Sequence, residues 1–310
     1  MDMRACNLTI VAVLASCGLL HLTCTRTADA QGNAAERPAP SFPQCGSVRV
    51  ALSDDQWRIV AARYSQMMTL FSPRAGGKDL SRENERVKWV KLLNPQLTVL
   101  VYGSAINASN FRLPAWRRPT EHPEWFLKDE AGEWLSDWEY QSALHLDPAN
   151  VEWQQYVGRT LKDYIARYGY DGVFLDLVTA TTYYVNFKKP HPAVDPKTGK
   201  AYADADWKAA NMKLLRAVRD AIGQDKILLI NGGHRGRRFF ETGYLDFLEV
   251  ADGLCHEGFC GWALDPFQDK FGPVEDWKAD VDILAECAKR GKIVWAVGNC
   301  RARKPDESTE

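Results

Sequence analysis

Ten residues, Tyr168-Gly169-Tyr170-Asp171-Gly172-Val173-Phe174-Leu175-Asp176-Leu177, constrain the fold more than any other part of the chain. Upstream, Trp153, Tyr156, Val157, Thr160, Leu161, Tyr164, Ile165 and Tyr168 recur at three- and four-residue steps, the period of a helix with one buried face. Gly169 follows as the residue type best able to take the left-handed conformation that ends such a helix. Val173, Phe174 and Leu175 form a continuous apolar run, which fits a strand covered on both faces, as in a parallel sheet. Asp176 stands at the carboxyl end of that strand, the end from which a parallel barrel projects its catalytic side chains.

The same geometry recurs. Asp252-Gly253-Leu254-Cys255-His256-Glu257-Gly258-Phe259 again opens on Asp-Gly and runs into an acid. Further strand candidates are Met67 to Phe71, Thr98 to Tyr102, Ala143 to Leu146, Lys226 to Gly233 and Lys292 to Asn299. Helical patterns separate most of them, through Val87, Val90 and Leu93 and through Trp207, Leu214, Leu215, Val218 and Ile222. Alternating strand and helix means a parallel sheet. The 310 residues, 45% hydrophobic and 25% charged, suffice for one large domain, and a (β/α)8 barrel takes roughly 250 residues. The fold expected is therefore α/β, a TIM (β/α)8-type barrel over residues 47–310. After Asn299 comes only Cys300 to Glu310, so the last strand is expected to be missing through C-terminal truncation. Val48, Val50 and Leu52 alternate within Ser47 to Leu52 and are expected to cover one open edge.

Residues 1–30 read as an export signal: Arg4, an apolar run from Leu8 to Leu22, and a small-x-small site at Ala28-Asp29-Ala30. Leu14-Ala15-Ser16-Cys17 offers a competing lipobox, which would make Cys17 a lipid anchor. Residues 31–46, with three prolines, read as a linker. The expected location is secreted or periplasmic, with a membrane-anchored lipoprotein as the alternative. A formal net charge of −1 and no long Lys/Arg block argue against nucleic acid or an anionic membrane surface as partner. Of eight cysteines, Cys6, Cys17 and Cys24 fall in the signal, leaving Cys45, Cys255, Cys260, Cys287 and Cys300. Cys260 and Cys300 follow neighbouring strands and offer a bridge, while Cys255 and Cys287 read as small buried hydrophobes.

The Tyr168–Asp176 segment, Leu146-Asp147-Pro148 with Glu152-Trp153, and His256-Glu257-Gly258-Phe259 resemble hypothetical glycosyl hydrolase family 15. More distantly they are similar to endo-α-1,4-polygalactosaminidases, secreted barrels acting on α-linked polysaccharide. The resemblance implies a catalytic pair of a fourth-strand aspartate and a sixth-strand glutamate, which map onto Asp176 and Glu257. It also suggests a covalent glycosyl intermediate with retention.

The chemistry supports the same pair. Glycosidic cleavage needs one ionised carboxylate under the anomeric carbon and one protonated acid beside the leaving oxygen. Asp176 is expected to be the nucleophile, kept ionised by Tyr102 and Asn231 at adjacent strand ends, and Glu257 the acid/base. Asp171 and Asp252 start their strands and read as turn residues. Asp147 before Pro148 reads as a helix N-cap. Tyr102, His145, Asn231, His256 and Trp295 are candidate substrate-binding residues. So are Trp125 and Trp134, from a segment that also holds Trp116 and Trp138 and has a turn at Lys128 to Glu133, although packing explains such indoles equally well. Tyr183 lies in an unusually long loop from Thr179 to Ala205, suited to a binding edge. The Gly232-Gly233-His234-Arg235-Gly236 stretch misses both nucleotide-binding spacings and reads as a loop after a strand. No cofactor and no metal site are expected, since His-x-His and Cys-x-x-Cys pairs are missing. The expected function is hydrolysis of a polysaccharide or oligosaccharide, with a catalytically silent carbohydrate-binding barrel at the cell surface as the alternative.

Overall fold

The computed structural model describes residues 11–14, 44–48, 51–69, 81–108, 121–138, 143–259 and 273–297. The signal cleavage site, Cys17, Phe71, Trp116, Cys260, Cys300 and the presumed truncation after Asn299 lie outside them. In chain order the elements are β1 (Val11–Leu14), β2 (Gln44–Val48), α1 (Asp54–Arg63), β3 (Gln66–Thr69), α2 (Arg86–Leu93), β4 (Thr98–Ser104), β5 (Asn107–Ala108) and β6 (Leu144–His145). They continue with α3 (Val151–Tyr168), β7 (Gly172–Asp176), α4 (Tyr183–Asn186), β8 (Val194–Asp195), β9 (Lys200–Ala201), α5 (Asp204–Ile222), β10 (Ile227–Ile230), α6 (Arg237–Glu241), β11 (Gly253–Glu257), α7 (Val274–Lys289) and β12 (Ile293–Val297).

Strands β2, β3, β4, β7, β10, β11 and β12 pair in that order, each parallel to the next. The eighth position, expected to be empty, is taken by β1, which runs antiparallel to both β12 and β2. The described residues thus form a parallel α/β sheet closed by one antiparallel strand, and β1 falls inside the apolar run read as a leader. The edge-covering strand also differs from expectation. It is Gln44–Val48, a few residues before the predicted Ser47 to Leu52. Ala143 to Leu146, expected in the barrel, instead contributes β6 to a side ribbon with β5. Its short extended pieces cannot bridge the barrel height, and Lys128 pairs with Trp134 and Ser136 with Leu144 in the same excursion.

Helix α3 ends where predicted: Gly169 caps it with φ 79°, and Trp153, Val157, Leu161, Ile165 and Tyr168 are buried. Its N-cap is Asn150, whose side chain accepts from Trp153 N. Asp147 does not cap the helix: its carboxylate accepts from Ala149 N at 2.9 Å and from the Tyr202 hydroxyl at 2.8 Å. Helix α5 buries Trp207, Leu214, Leu215, Val218 and Ile222, as its periodicity requires, and α2 buries Val87 and Val90 but leaves Leu93 exposed.

Asp171 and Asp252 are structural in the same way. Asp171 Oδ2 accepts from Val99 N at 2.8 Å, and Asp252 Oδ2 accepts from Leu228 N at 2.8 Å. Each therefore ties its strand to the amide of the strand before it. Lys91 and Arg219, from the helices packed outside, neutralise the two carboxylates. The glycine after each acid permits close approach: a Cβ on Gly172 would lie 2.0 Å from Ile227 O, and one on Gly253 would lie 2.1 Å from Ile293 O.

Inside the sheet, Met68, Leu100, Tyr102, Phe174, Leu229, Cys255, Trp295 and Val297 pack as a separate apolar core. Cys255 and Cys287 are both buried, as expected. Gly172→Ala is expected to lose about 3 kcal/mol or more, because the obstacle is backbone and cannot rotate away. Gly199, at φ 65° with open space around its missing Cβ, should lose only about 1–2 kcal/mol on the same change. Urea unfolding of the two variants checks the contrast.

Candidate active site

Side chains on a strand alternate between faces. On β7, Val173 and Leu175 pack outward against the helices while Phe174 joins the interior core, so Asp176 follows Phe174 to the inside. The same alternation brings Tyr102 inward from β4, Asn231 inward beyond the end of β10, and Glu257 inward above Cys255 on β11. The parallel register sets Ser104 opposite Asp176 and Glu257 opposite Val297. A polar layer therefore lies directly above a floor made by Tyr102, Phe174 and Trp295, in which the Phe174 and Trp295 rings are 5.6 Å apart.

Asn231 organises that layer. Its Nδ2 donates to Asp176 Oδ1 at 2.9 Å and to Glu257 Oε2 at 3.0 Å. The two carboxylates are therefore joined through a single nitrogen. The Tyr102 hydroxyl donates to Asp176 Oδ2, and Leu177 N donates to Asp176 Oδ1 at 2.8 Å. Leu177 makes that last bond by adopting φ 59°, a left-handed conformation uncommon for a branched side chain, which turns its amide back onto the preceding carboxylate. Asp176 is part-buried and Glu257 exposed. Neither Leu177 nor the buried Tyr244 was indicated by the sequence. Burial pushes the Tyr244 hydroxyl well above the ordinary phenol range, and the Asp176 charge adds to it.

Asp176, Glu257, Tyr102 and Asn231 thus form one bonded cluster; other candidates do not join it. His256 is on the outer face of β11, where Nε2 meets Asp280 Oδ1 at 2.8 Å beneath α7. Adjacent residues of one strand cannot both face inward, so placing Glu257 at the site excludes His256. Trp295 is interior but 3% exposed, its indole donating to Gln66 Oε1, so it supports the site from below. Trp125 is buried beside Trp153 and Tyr156, stacks on His122 at 3.9 Å, and donates to Glu152 Oε2. Trp134 is half-buried between Phe126 and the Lys128 ammonium. For both, the packing explanation holds. Tyr183 remains at the rim, 46% exposed on α4 beside Phe187, His234 and Arg238.

His145 is fully buried, its ring 5.8 Å from that of Tyr184, so it cannot meet a substrate from the cleft. Asn107 Nδ2 and the Tyr184 hydroxyl donate to the neighbouring buried Asp137, a set that joins the excursion after β4 to the long loop after β7. Among the described residues, His122, Glu124 and Glu152 could bring ligand atoms within 4.8 Å of one another. They belong to the Trp125 cluster at the start of α3, with His122 already paired to Glu124 at 3.1 Å.

Two outcomes follow from these placements. Trp125→Ala should cost about 3–5 kcal/mol in urea unfolding, as large aromatic truncations in cores do, whereas loss of glycan binding at unchanged stability would restore a binding role. Burial lowers the His145 pKa from the ordinary histidine range to about 4, against the opposing pull of Asp137. Burial, then Arg238, lowers His234 likewise to about 4. The unfolded chain then binds more protons than the folded one between these pH values. Stability is therefore fully present above about pH 6.5 and falls as the pH drops toward 4, and His145→Asn should flatten this slope in unfolding curves.

No curated protein matches the sequence. Among solved structures, the cycloisomaltooligosaccharide glucanotransferase of Paenibacillus sp. aligns with a TM-score of 0.50 at 14% identity, covering 72% of this chain and 34% of that one. The chitinase domain of the spore coat protein CotE from Clostridium difficile aligns at 0.44 and 14% identity, covering 89% of this chain and 70% of that one. An α-galactosidase of Geobacillus stearothermophilus aligns at 0.44 and 14% identity, covering 64% and 27%. The chain thus spans about a third of the length of the first of these enzymes. Residues 91–309, more than half of the chain and including both strand-end acids, match one family, and the protein belongs to hypothetical glycosyl hydrolase family 15.

Proposed function

We propose that the protein cleaves α-linked polysaccharide through a covalent glycosyl intermediate, with Asp176 as nucleophile and Glu257 as general acid and base. The observation that carries this reading is the single Asn231 amide bonded to both carboxylates. A spacing fixed by one nitrogen suits a retaining pair, because an inverting pair must admit a water between acid and sugar. The Tyr102 hydroxyl and the Leu177 and Asn231 N–H groups favour the ionised form of Asp176, as a nucleophile requires. Glu257, exposed at the strand end, is accessible to a leaving-group oxygen. The α-linkage rests on the resemblance to polygalactosaminidases, and Tyr183 at the rim is the residue proposed to contact the glycan outside the bond being cleaved.

We also propose export, directed by the apolar segment before Ala30, with lipidation at Cys17 as the alternative route. Among the described residues no helix is long and apolar enough to cross a membrane. Cleavage after Ala30 would remove β1 and expose the pairing groups of β2 and β12. N-terminal sequencing of the exported protein decides between cleavage and retention of that strand.

Activity is tested by reducing-sugar release from a panel of bacterial and plant polysaccharides that includes galactosaminoglycans. Asp176→Asn should abolish turnover. Glu257→Gln should slow natural substrates far more than substrates with an activated leaving group, which departs without a proton. Proton NMR of the first-formed product should show the anomeric configuration of the substrate. An inverted product, or near-normal turnover by the Asp176→Asn variant, overturns the assignment.

A further inference from the structure

We propose that the rim of the cleft carries a binding strip for an acidic glycan. Tyr183, Phe187 and Trp138 take the faces of successive sugar rings, while Arg238 and Lys188 pair with anionic substituents, carboxylate or sulfate. The inference rests on the reading of the protein as a glycan-cleaving enzyme and names the class of sugar chain it takes. The strip begins with three rings in a row. The Tyr183 centroid lies 5.4 Å from that of Phe187, and the Phe187 centroid lies 5.2 Å from that of Trp138. Tyr183 is exposed, and Phe187 and Trp138 are half-buried, so part of every ring is open to solvent. A cation stands at each end. The Arg238 guanidinium lies 4.5 Å from the Tyr183 centroid, and the Lys188 ammonium lies 4.9 Å from that of Trp138 and 5.4 Å from that of Phe187.

Three stretches far apart in sequence build this strip at the same end of the barrel as the catalytic pair. Tyr183, Phe187 and Lys188 belong to α4 and its exit, in the loop that leaves Asp176 at the end of β7. Trp138 comes from the excursion between β4 and α3, and Arg238 sits on α6, reached from Asn231 by the loop after β10. The loops after β7 and β10 are packed together from their first residues. Val178 N donates to Asn231 O at 2.8 Å, and a Cβ on Gly232 would stand 2.6 Å from Val178 O. Further out, Thr181 Oγ1 and His234 Nε2 join them again at 3.0 Å, and the His234 ring lies 5.5 Å from that of Tyr183. Lys188 has φ 58°, a left-handed conformation uncommon for a residue with a side chain, and the chain turns there with the ammonium over Trp138.

The charges around the strip point to an anion. Among the described residues no carboxylate pairs with Arg238 or Lys188, although Arg237, next in the chain, is paired with Asp276 at 2.8 Å. Acids of the neighbourhood are engaged elsewhere. Asp204 accepts from Thr182 N at 2.8 Å and from Thr182 Oγ1 at 2.9 Å, and the buried Asp137 accepts from Asn107 and Tyr184. A cation seated on an aromatic face is attracted by the ring yet keeps its N–H donors for oxygen acceptors. Sugar rings pack their C–H faces on such aromatics, and an acidic sugar adds a charged group at the ring edge. Rings with a cation at either end complement both features. A neutral glycan leaves the two cations unused, and a chain of free galactosamine brings ammonium groups against them, a juxtaposition that suppresses binding.

Calorimetric titration of the full chain tests the strip without requiring turnover. The probes are tetragalacturonate, its methyl ester, a sulfated galactose tetramer and a galactosamine tetramer. Tetragalacturonate should bind about tenfold more tightly than its ester, which keeps the rings and loses the charges, with each exposed cation contributing about threefold. Arg238→Gln and Lys188→Asn should each remove about threefold of that preference and leave the affinity for the ester unchanged. Tyr183→Ala should weaken both ligands by a similar factor. Raised salt should erase the preference in the unmodified protein, a measurement that answers the question if a variant fails to fold. Tighter binding of the sulfated tetramer than of tetragalacturonate assigns the anion as a sulfate ester, and the reverse assigns it as a carboxylate. Equal affinity for acid and ester, tightest binding of the galactosamine tetramer, or a preference untouched by both charge variants overturns the proposal. Preference for the acidic chains without release of reducing sugar from any glycan supports the strip and overturns only the hydrolytic reading. Release from neutral glycans alone does the reverse.

Discussion

The register between neighbouring parallel strands is the constraint on which the site depends, and two carboxylates far from the cleft help to fix it. Asp171 and Asp252 each accept from the amide of the second residue of the preceding strand, Val99 and Leu228. The glycines behind them let the strands close to a distance that no other residue permits. A slip of one residue would send every alternate side chain to the other face. Because the lower ends of β4, β7, β10 and β11 are pinned in this way, Tyr102, Asp176, Asn231 and Glu257 meet in one layer at the upper ends.

That layer is polar, and it rests on an apolar and aromatic one. Tyr102, Phe174 and Trp295 fill the interior below the carboxylates, and the Trp295 indole finds its partner in Gln66. The floor shields one side of Asp176 from water, so its charge is compensated by fixed donors. The left-handed Leu177 is part of that compensation: the chain accepts an unfavourable backbone conformation to bring one more amide to the carboxylate.

Around the cleft, the excursion between β4 and α3 and the long loop after β7 behave as one unit. Asp137 accepts from Asn107 in the first and from Tyr184 in the second, and His145 is enclosed between them as a neutral imidazole. Trp125, Trp153 and Tyr156 pack the base of the excursion onto α3. Trp125 and Trp134 therefore pack within this wall.

Much of this protein was legible from the chain alone. The carboxyl end of α3, the apolar centres of β7, β10, β11 and β12, and the strand-end positions of Asp176 and Glu257 follow from periodicity and from single residues such as Gly169, which act over a few neighbouring positions. Tertiary structure decided the rest, because it depends on which distant segments become neighbours. Gln44–Val48 joined the barrel beside β3, while Ala143 to Leu146, expected between β4 and β7, went to a side ribbon, because a short extended run carries no mark of the partner it will pair with. The same indole character in Trp125 and Trp134 was compatible with a sugar or with a core until Glu152, Tyr156 and Lys128 were brought against it. The sequence determined that two acids end two strands of a parallel sheet; only the folded register set one asparagine between them, because a hydrogen bond of this kind requires tenths of an ångström that local pattern does not encode.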